Sequence, residues 1–319
     1  MPRTLRAVDA SIVIPARNAA ATLPAALAAI AAQEDAPDHE VIVVDDGSTD
    51  ATPAIAEAAG ARLLRTGGGE GPGAARNVGA AAAQAPLLVF TDADCEPEPT
   101  WLARMVRAAK RAELVQGVVL PAGGAAVGPF DRIVAVVSEY GLYQTANLAI
   151  DRELFERAGG FEPIVRPKRS KEMGEDAWLA WRARRLGART AFAADAIVRH
   201  AVFPRGPRGF VTEQLRVTWF PELVRLMPEL REVFLYRRWF LDARTARVDL
   251  ALAGVAVAVA SGRRLPLALS LPYLQRAWSD SGRFGNRRRP VLGATLVASD
   301  AVRLGALAWG SLRSRTLVL

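Results

Sequence analysis

The feature that most constrains the fold is an alternation of short apolar runs with alanine-rich stretches over the first hundred residues. The apolar runs, of which 11–15 and 87–91 are examples, have the length and β-branched content of buried strands. Alanine-rich stretches between them, such as 19–32 and 74–83, predict helices. Strands that alternate with helices form a mostly parallel sheet with helices on both faces. We therefore predict an α/β fold with a Rossmann-like central sheet.

The alternation continues further along the chain, although less regularly. A helix is predicted at 101–110, a strand at 114–119, a helix from Glu175 to about residue 186 and a last strand at 196–200. The stretch from 120 through 149 shows no clear period. An amphipathic helix broken at Pro221 is predicted over 210–226.

Acidic side chains follow two of the predicted strands. Asp45-Asp46 comes directly after the second predicted strand (41–44), and Asp92 and Asp94 follow the fourth (87–91). Ligands of parallel sheets bind outside the carboxyl ends of the strands. Asp92 and Asp94 share one face of an extended segment, so both could bind one hard cation such as Mg²⁺ or Mn²⁺. The alternative interpretation of such carboxylates is that they cap helices or lie in solvated turns.

Four motifs in order resemble the family 2 glycosyltransferases of the GT-A fold: SIVIPARN (11–18), VVDDGSTD (43–50), GAARNVG (73–79) and FTDAD (90–94). The resemblance extends over about residues 10–205, through Asn147, GGF (159–161), GED (174–176) and RH (199–200). It implies a single GT-A domain over 1–246. The nucleotide-sugar half would comprise about 10–120 and the acceptor half about 121–246.

The resemblance also implies a nucleotide-sugar site. Pro15 and Arg17 would line the nucleoside pocket, where this chain has arginine at a position that is often tyrosine. Asp46 would bind the base or the ribose, and Arg76 would contact the nucleotide. A surface position on a helix is the alternative for Arg76.

The same resemblance implies a metal site at the end of the fourth strand. Asp94 would bind the cation and the diphosphate, with Asp92 assisting and Ala93 beside the donor. His200 matches a position that supplies a further metal ligand in some relatives, although a lone histidine after a strand also has structural roles. The expected cofactor is Mn²⁺ or Mg²⁺.

Glu175 and Asp176 match the acidic pair that holds the catalytic base, with Asp176 as the base itself. Inverting transfer needs a carboxylate that takes the proton of the acceptor hydroxyl. The expected donor is a nucleotide-diphosphate sugar, with UDP favoured, and the expected acceptor is a lipid-linked or cell-envelope saccharide. Lys168, Arg169 and Lys171 could close over the diphosphate or form a solvated basic loop.

The C-terminal tail differs in character from the rest of the chain. Residues 247–319 hold 11 arginines against three aspartates, a charge of +8 that equals the net charge of the whole chain. Its apolar run at 248–261 would span about 21 Å as a helix, less than the roughly 30 Å hydrocarbon core. The run at 291–310 is long enough but contains Asp300 and Arg303. We expect a helical extension that lies on or dips into one leaflet of a membrane, with a true membrane span, a soluble subdomain or a dimer interface as alternatives.

Composition narrows the cellular setting. One cysteine, Cys95, fits a reducing compartment, and residues 1–10 show no pattern of a secretory leader, so the expected location is cytoplasmic, at the inner face of the membrane. The tail arginines lack the motifs of nucleic-acid binding, and no nucleic acid is expected. The oligomeric state is not readable from the sequence.

The sequence bears on three other classes of function: a sugar-nucleotide pyrophosphorylase, a nicotinamide dehydrogenase and a non-catalytic subunit. A sugar-nucleotide pyrophosphorylase needs a glycine-rich signature with an arginine just after the first strand, and 14–18 does not supply it. The glycine-rich segment 67–73 lacks the spacing of a dinucleotide or phosphate loop. A non-catalytic binding or scaffolding subunit of the same fold stays the main alternative to the enzyme.

Overall fold

The computed structural model describes residues 8–123, 127–164 and 173–319. The chain divides into two compact units. Unit 1 comprises Met1–Ala125 and Ile133–Val202, and unit 2 comprises Ala126–Arg132 and Phe203–Leu319. The predicted basic loop with Lys168, Arg169 and Lys171 lies outside the described residues.

The described part of unit 1 contains one eight-stranded sheet in the order β3-β2-β1-β4-β7-β6-β8-β5. Neighbouring strands from β3 to β4 run parallel, as do β6 and β8, whereas β7 and β5 run antiparallel to their neighbours. This confirms the predicted α/β class with a mostly parallel central sheet. The strands are β1 (Ala10–Ala16), β2 (His39–Asp45), β3 (Arg62–Arg65), β4 (Leu87–Thr91), β5 (Cys95–Pro97), β6 (Leu114–Pro121), β7 (Asn147–Asp151) and β8 (Thr190–His200).

Helices cover both faces of the sheet because the inner strands are apolar on both sides. In β1, Ile12 and Ile14 pack in one core, and Val13 packs in the other. The first core is completed by α1, α2 and α4, and the second by α3, α5 and α6. These helices are α1 (Leu23–Ala31), α2 (Thr52–Ala58), α3 (Pro72–Ala82), α4 (Trp101–Ala109), α5 (Arg152–Arg157) and α6 (Glu175–Arg185).

Unit 2 is helical in its described residues. Its α-helices are α7 (Pro207–Glu213), α8 (Phe220–Leu226), α9 (Leu230–Val233), α10 (Ala243–Ser261), α11 (Leu271–Gly282) and α12 (Arg289–Ser314). Short 3₁₀ helices occupy Gln214–Trp219, Leu265–Ser270 and Asn286–Arg288. The longest helix, α12, packs along α8 and the first of these 3₁₀ helices, with Gly310 against the carbonyl of Thr218.

Several elements differ from the sequence prediction. Strands β5 and β7 and helix α5 were not predicted, and β8 begins at Thr190 rather than near residue 196. The helix predicted over 210–226 is three short helices, and Pro221 lies in the first turn of α8 instead of breaking a helix. Proline is tolerated in a first turn because the backbone N–H it lacks has no partner there.

The predicted domain boundary at 246/247 falls inside unit 2, close to the start of α10. It marks a change of sequence character and stays a prediction as a functional boundary. Among the described residues, one helical stretch, Asn286–Ser314, is long and apolar enough to cross a membrane, which by itself is weak evidence. Its residues Leu292, Ser299, Ala306 and Gly310 form a stripe buried within the protein.

The side chain of Asn147 ties the centre of the sheet together. Its amide donates to the carbonyls of Val118 and Ala196, at 2.8 and 2.9 Å, and its oxygen accepts from Trp101 Nε1 at 2.8 Å. These bonds join β7 to β6 and β8 where the register of the β6–β8 pair shifts. A Cβ at Gly117 would lie 2.2 Å from the amide nitrogen, so only glycine fits there.

Replacing Asn147 by leucine should destabilise the protein by about 3 kcal/mol or more, since three buried polar groups lose their partner. The free energy of unfolding in urea measures this change. The matched control is Gln84→Leu, which removes an exposed amide and should change stability by less than about 0.5 kcal/mol. Equal effects of the two substitutions would contradict the role given to Asn147.

Candidate active site

The carboxylate of Asp46 is the centre around which the glycine-rich loop folds. Its Oδ1 accepts from Thr66 Oγ1 at 2.6 Å and from the N–H of Glu70 at 2.9 Å, and Oδ2 accepts from Gly71 N–H at 3.0 Å. Burial raises the pKa of Asp46, but these hydrogen bonds and the charge of Arg17 outweigh it, and the net shift is downward. The glycine-rich loop at 67–73 is thereby fixed on an ionised carboxylate.

Arg17 and Pro15 lie at the carboxyl end of β1, next to this loop. Pro15 is half-buried and pairs with Val44 of β2. Arg17 is exposed, and a Cβ at Gly69 would lie 3.3 Å from its Nη1, so its guanidinium lies over that glycine. Asp46, Arg17 and the loop therefore form one wall at the edge of the sheet, where the nucleoside was predicted to bind.

Four potential metal ligands meet at the end of β4. One ligand atom each from Asp92, Asp94, Cys95 and His200 lie within 4.8 Å of one another. Strand pairing brings them together, because β5 pairs Cys95 with His200 and the N–H of Ala201 donates to the Asp94 carbonyl at 2.8 Å. Ala93, between the two aspartates, is buried.

The ring of His200 is oriented by the backbone carbonyl of the next residue, Ala201. Nδ1 lies 2.8 Å from the carbonyl oxygen of Ala201, and a carbonyl only accepts, so Nδ1 carries the proton. Nε2 then faces Asp94 Oδ1 at 3.5 Å. A ring held by an Nδ1–H to carbonyl bond with Nε2 turned toward a carboxylate is the arrangement that metal-binding histidines adopt.

The surroundings of Cys95 disfavour ionisation of its thiol. Burial raises its pKa well above the usual value, and the charges of Asp92 and Asp94 raise it further. The other ligand atoms of this cluster are two carboxylate oxygens, which are hard donors, and one imidazole nitrogen. This donor set fits Mn²⁺ or Mg²⁺ better than a metal that prefers sulfur.

Arg76 connects this cluster to the start of α6. Its side chain, 5% exposed, lies with Nη2 2.6 Å from Asp92 Oδ1 and Nη1 4.0 Å from Glu175 Oε1. The ring of Phe161 packs 5.7 Å from the guanidinium carbon. Arg76 Nε and Glu175 Oε2 are buried without a hydrogen-bond partner among the described atoms. Buried polar atoms of this kind are typical of sites that act on a ligand.

Asp176 follows at the N-terminus of α6. Gly174, with φ at +85°, turns the chain into the helix, and Asp176 Oδ1 accepts from the N–H of Ala177 at 2.8 Å. Burial raises the pKa of Asp176 to about 7, and the neighbouring Glu175 carboxylate adds to the rise, whereas Arg76 opposes it. A carboxylate with this pKa is a competent proton acceptor near neutral pH.

The structure thus brings most of the predicted site residues into two groups within unit 1. Asp92, Asp94, Glu175, His200 and Arg76 form one connected group, with Asp176 within electrostatic reach. Pro15, Arg17 and Asp46 form the second.

Sequence reasoning missed two residues of the site, Cys95 and Phe161. Cys95 comes directly after the Asp-x-Asp pattern, and this position next to two potential ligands could have indicated that it belongs to the metal cluster. Phe161 was quoted only as part of a motif. Its backbone is held by the amide of Asn77 through bonds of 2.7 and 2.8 Å.

The raised pKa of Asp176 makes a prediction about stability. The native state binds this proton more tightly than the unfolded chain does, so the stabilisation is present at low pH and is lost as the pH rises from about 4 to about 7. Asp176→Asn should therefore raise the melting temperature at pH 8 by on the order of 2–4 °C, and less at pH 5. Differential scanning fluorimetry at both pH values measures this. A variant less stable than wild type at pH 8 would contradict the assignment.

Comparison with known proteins agrees with this geometry. Residues 11–164 match the profile described as glycosyl transferase family 2. The chain is 30% identical over 253 residues to glycosyltransferase AglE of Haloferax volcanii, a match that covers 72% of this chain and 79% of that protein.

Solved structures share the fold. Mannosyltransferase PcManGT from Pyrobaculum calidifontis, in complex with GDP-Man and Mn²⁺, superposes with a TM-score of 0.59 at 22% identity, covering 95% of this chain and 89% of that one. TarS 1–349 of S. aureus, in complex with UDP, gives a TM-score of 0.51 at 18% identity, covering 97% and 92%. The chain belongs to the family 2 glycosyltransferases, and it is a glycosyltransferase.

Proposed function

We propose that the protein is an inverting, metal-assisted glycosyltransferase that moves a sugar from a nucleotide-diphosphate donor to a hydroxyl of a lipid-linked or cell-envelope saccharide. The observation that carries the proposal is the buried Arg76, which joins the metal-type cluster at Asp92 to the acidic pair at Glu175. Leaving-group chemistry and proton transfer happen together in an in-line displacement. The guanidinium of Arg76 contacts Asp92 of the metal-type cluster and lies near Glu175 of the acidic pair, and this arrangement supports such a reaction.

The donor would lie along the carboxyl edge of β1, β2 and β4. The loop held by Asp46 and the guanidinium of Arg17 would line the nucleoside pocket. A uridine diphosphate donor is favoured, and the similar fold of a protein crystallised with UDP supports this preference. The complex of PcManGT with GDP-Man makes a guanosine donor the natural comparison.

Asp94, Asp92 and His200 would hold the divalent cation. Asp92 keeps Oδ2 for this purpose, because Oδ1 is bound to Arg76. His200 presents Nε2 on the side of Asp94. When bound, the cation supplies positive charge that stabilises the departing nucleoside diphosphate.

Asp176 would act as the base. Its carboxylate takes the proton of the acceptor hydroxyl while the new bond to the anomeric carbon forms and the bond to the diphosphate oxygen breaks. Burial and the Glu175 charge make the carboxylate basic enough for this step. Glu175 and Arg76 act on Asp176 through their charges, in opposite directions.

A membrane-bound acceptor suits the composition of the C-terminal tail. Eleven arginines and long apolar runs in 247–319 favour attachment to the inner face of an anionic membrane. Deleting 247–319 would be a poor test of this proposal, because α12 packs along α8 and the 3₁₀ helix at 214–219. Substitutions of single exposed residues test it without opening that core.

The enzyme should hydrolyse its donor slowly in the presence of Mn²⁺, and a panel of UDP- and GDP-sugars followed by nucleotide release identifies that donor. Asp176→Asn should lower turnover by on the order of 10²–10⁴-fold because the proton acceptor is lost. The nucleotide should still bind. For the wild type, kcat/KM should fall as the pH drops below about 7.

Asp195→Asn is the matched control, because Asp195 is exposed on β8 and pairs with Arg107. Its turnover should equal that of the wild type. Unchanged turnover in Asp176→Asn would remove Asp176 as the base. Donor binding without any turnover by the wild type would instead favour the non-catalytic subunit.

His200→Ala should weaken binding of Mn²⁺ in the presence of UDP by about ten-fold or more, because a metal-bound imidazole is lost. Isothermal titration calorimetry with Mn²⁺ measures the change without relying on activity. His39→Ala is the control, since His39 is the other histidine of the chain and lies at the start of β2. Equal Mn²⁺ affinity in both variants would show that His200 is structural.

A further inference from the structure

Residues 252–274 form a helical hairpin, hereafter the apolar hairpin. It consists of the second half of α10, the 3₁₀ helix Leu265–Ser270 and the start of α11. It turns at Gly262, whose φ of +65° ends α10. Residues 255–271 are all described, and none of them is buried. Large apolar side chains point outward on both arms, among them Val255, Val257, Val259, Leu265, Leu267 and Leu271. Soluble proteins rarely expose a continuous apolar surface of this kind.

The inside of the apolar hairpin is made of small residues. A Cβ at Gly254 would lie 2.6 Å from the Pro266 carbonyl oxygen and 2.9 Å from Leu269 Cβ, so the two arms approach through a glycine. Ala251 and Gly254 are the apolar residues of α10 that are buried, and no residue of the 3₁₀ helix is. Helices packed in lipid show this distribution: small residues lie where the helices contact each other, and large apolar residues face away from the contact.

The positive charge of the apolar hairpin favours an anionic lipid surface over a second copy of the chain as its partner. From 250 to 279 the sequence has no acidic residue and three arginines, Arg263, Arg264 and Arg276. Two of these arginines stand at the tip of the hairpin. A second copy of the chain packed on this segment would bring like charges together, which disfavours the contact. Anionic lipid headgroups give the arginines opposite charges, and acyl chains accept the apolar side chains.

The position of the arginines also fixes the orientation. Residues 252–261 of α10 span about 15 Å, roughly half of the hydrocarbon core. An upright hairpin would therefore carry Arg263 and Arg264 to the bilayer centre, where charged side chains are strongly disfavoured. A hairpin that lies along the leaflet keeps both guanidinium groups at the phosphates.

The long helix α12 is fixed to the protein and not to lipid. Asp300, in its middle, is buried and accepts two bonds of 2.6 Å from Arg244 of α10 and one of 2.9 Å from Tyr273. Arg244 also donates to Asp280 of α11 at 2.9 Å. This network holds α10 and α11 against α12 at the base of the hairpin. It leaves residues 255–271 of the apolar hairpin, none of which is buried, as the segment that is free to enter a membrane.

We propose that the apolar hairpin is a monotopic docking element that inserts side-on into an anionic leaflet, with Arg263 and Arg264 on lipid phosphates. The proposal rests on the membrane location given under the proposed function and deepens it. It names the segment that inserts, its orientation and the lipid charge that it requires.

The test uses the full-length protein and vesicles of phosphatidylcholine with or without an equal share of phosphatidylglycerol. Val259 and Leu265 are 79% and 84% exposed, so Val259→Glu/Leu265→Glu should leave the melting temperature unchanged. This variant should bind the anionic vesicles about ten-fold or more weakly in co-sedimentation, since inserted apolar area is lost. Arg263→Glu/Arg264→Glu should abolish the preference for anionic vesicles.

The matched control is Val137→Glu/Leu186→Glu, which changes two exposed apolar residues of unit 1 and should bind vesicles like the wild type. Wild-type affinity in Val259→Glu/Leu265→Glu would overturn the proposal. A second result would also overturn it: the wild type forms a dimer that does not bind vesicles, and light scattering shows that Val259→Glu/Leu265→Glu is a monomer. A second copy of the chain would then cover the hairpin. Donor hydrolysis in lipid-free solution should be equal in all variants, which separates failure of the hairpin proposal from failure of the transferase proposal.

Discussion

The contacts of one buried guanidinium support the rest of the site. Asp92, Glu175 and Asp176 are carboxylates near one another at the edge of the sheet, and such groups repel when water is excluded. Arg76 lies 2.6 Å from Asp92 and 4.0 Å from Glu175, and its charge opposes the rise in the pKa of Asp176. A residue from the middle of α3 therefore makes it possible for the end of β4 and the start of α6 to keep acidic side chains close together.

Much of the nucleotide half could be predicted because its signals are local. Strands β1, β2, β3 and β4 are short apolar runs, and a parallel sheet places the acidic residues that follow β2 and β4 at one edge. The strand-and-helix pattern and the motif order were enough to infer the α/β fold and the family. What Asp46 contacts was not readable, because three donors to its carboxylate come from a loop 20 to 25 residues further along the chain.

The parts that could not be predicted depend on contacts between distant segments. Strand β5 has three residues, too few to show a period, and it exists because β8 pairs with it. Strand β7 begins at a polar residue, Asn147, whose amide is satisfied by β6, β8 and α4. In the tail the sequence shows apolar runs and arginines, but it does not show that Gly254 faces inward while Val259 and Leu265 face outward.

The pairing of Cys95 with His200 has a consequence for the order in which the molecule is made. Cys95 and His200 are 105 positions apart in the chain, so joining their strands closes a long loop, which costs conformational entropy. During synthesis, the aspartates at the end of β4 leave the ribosome well before the histidine does. A chain stopped between residues 95 and 199 therefore contains the carboxylates of the cluster without its imidazole, and the complete ligand set arises only when the last strand of the sheet docks.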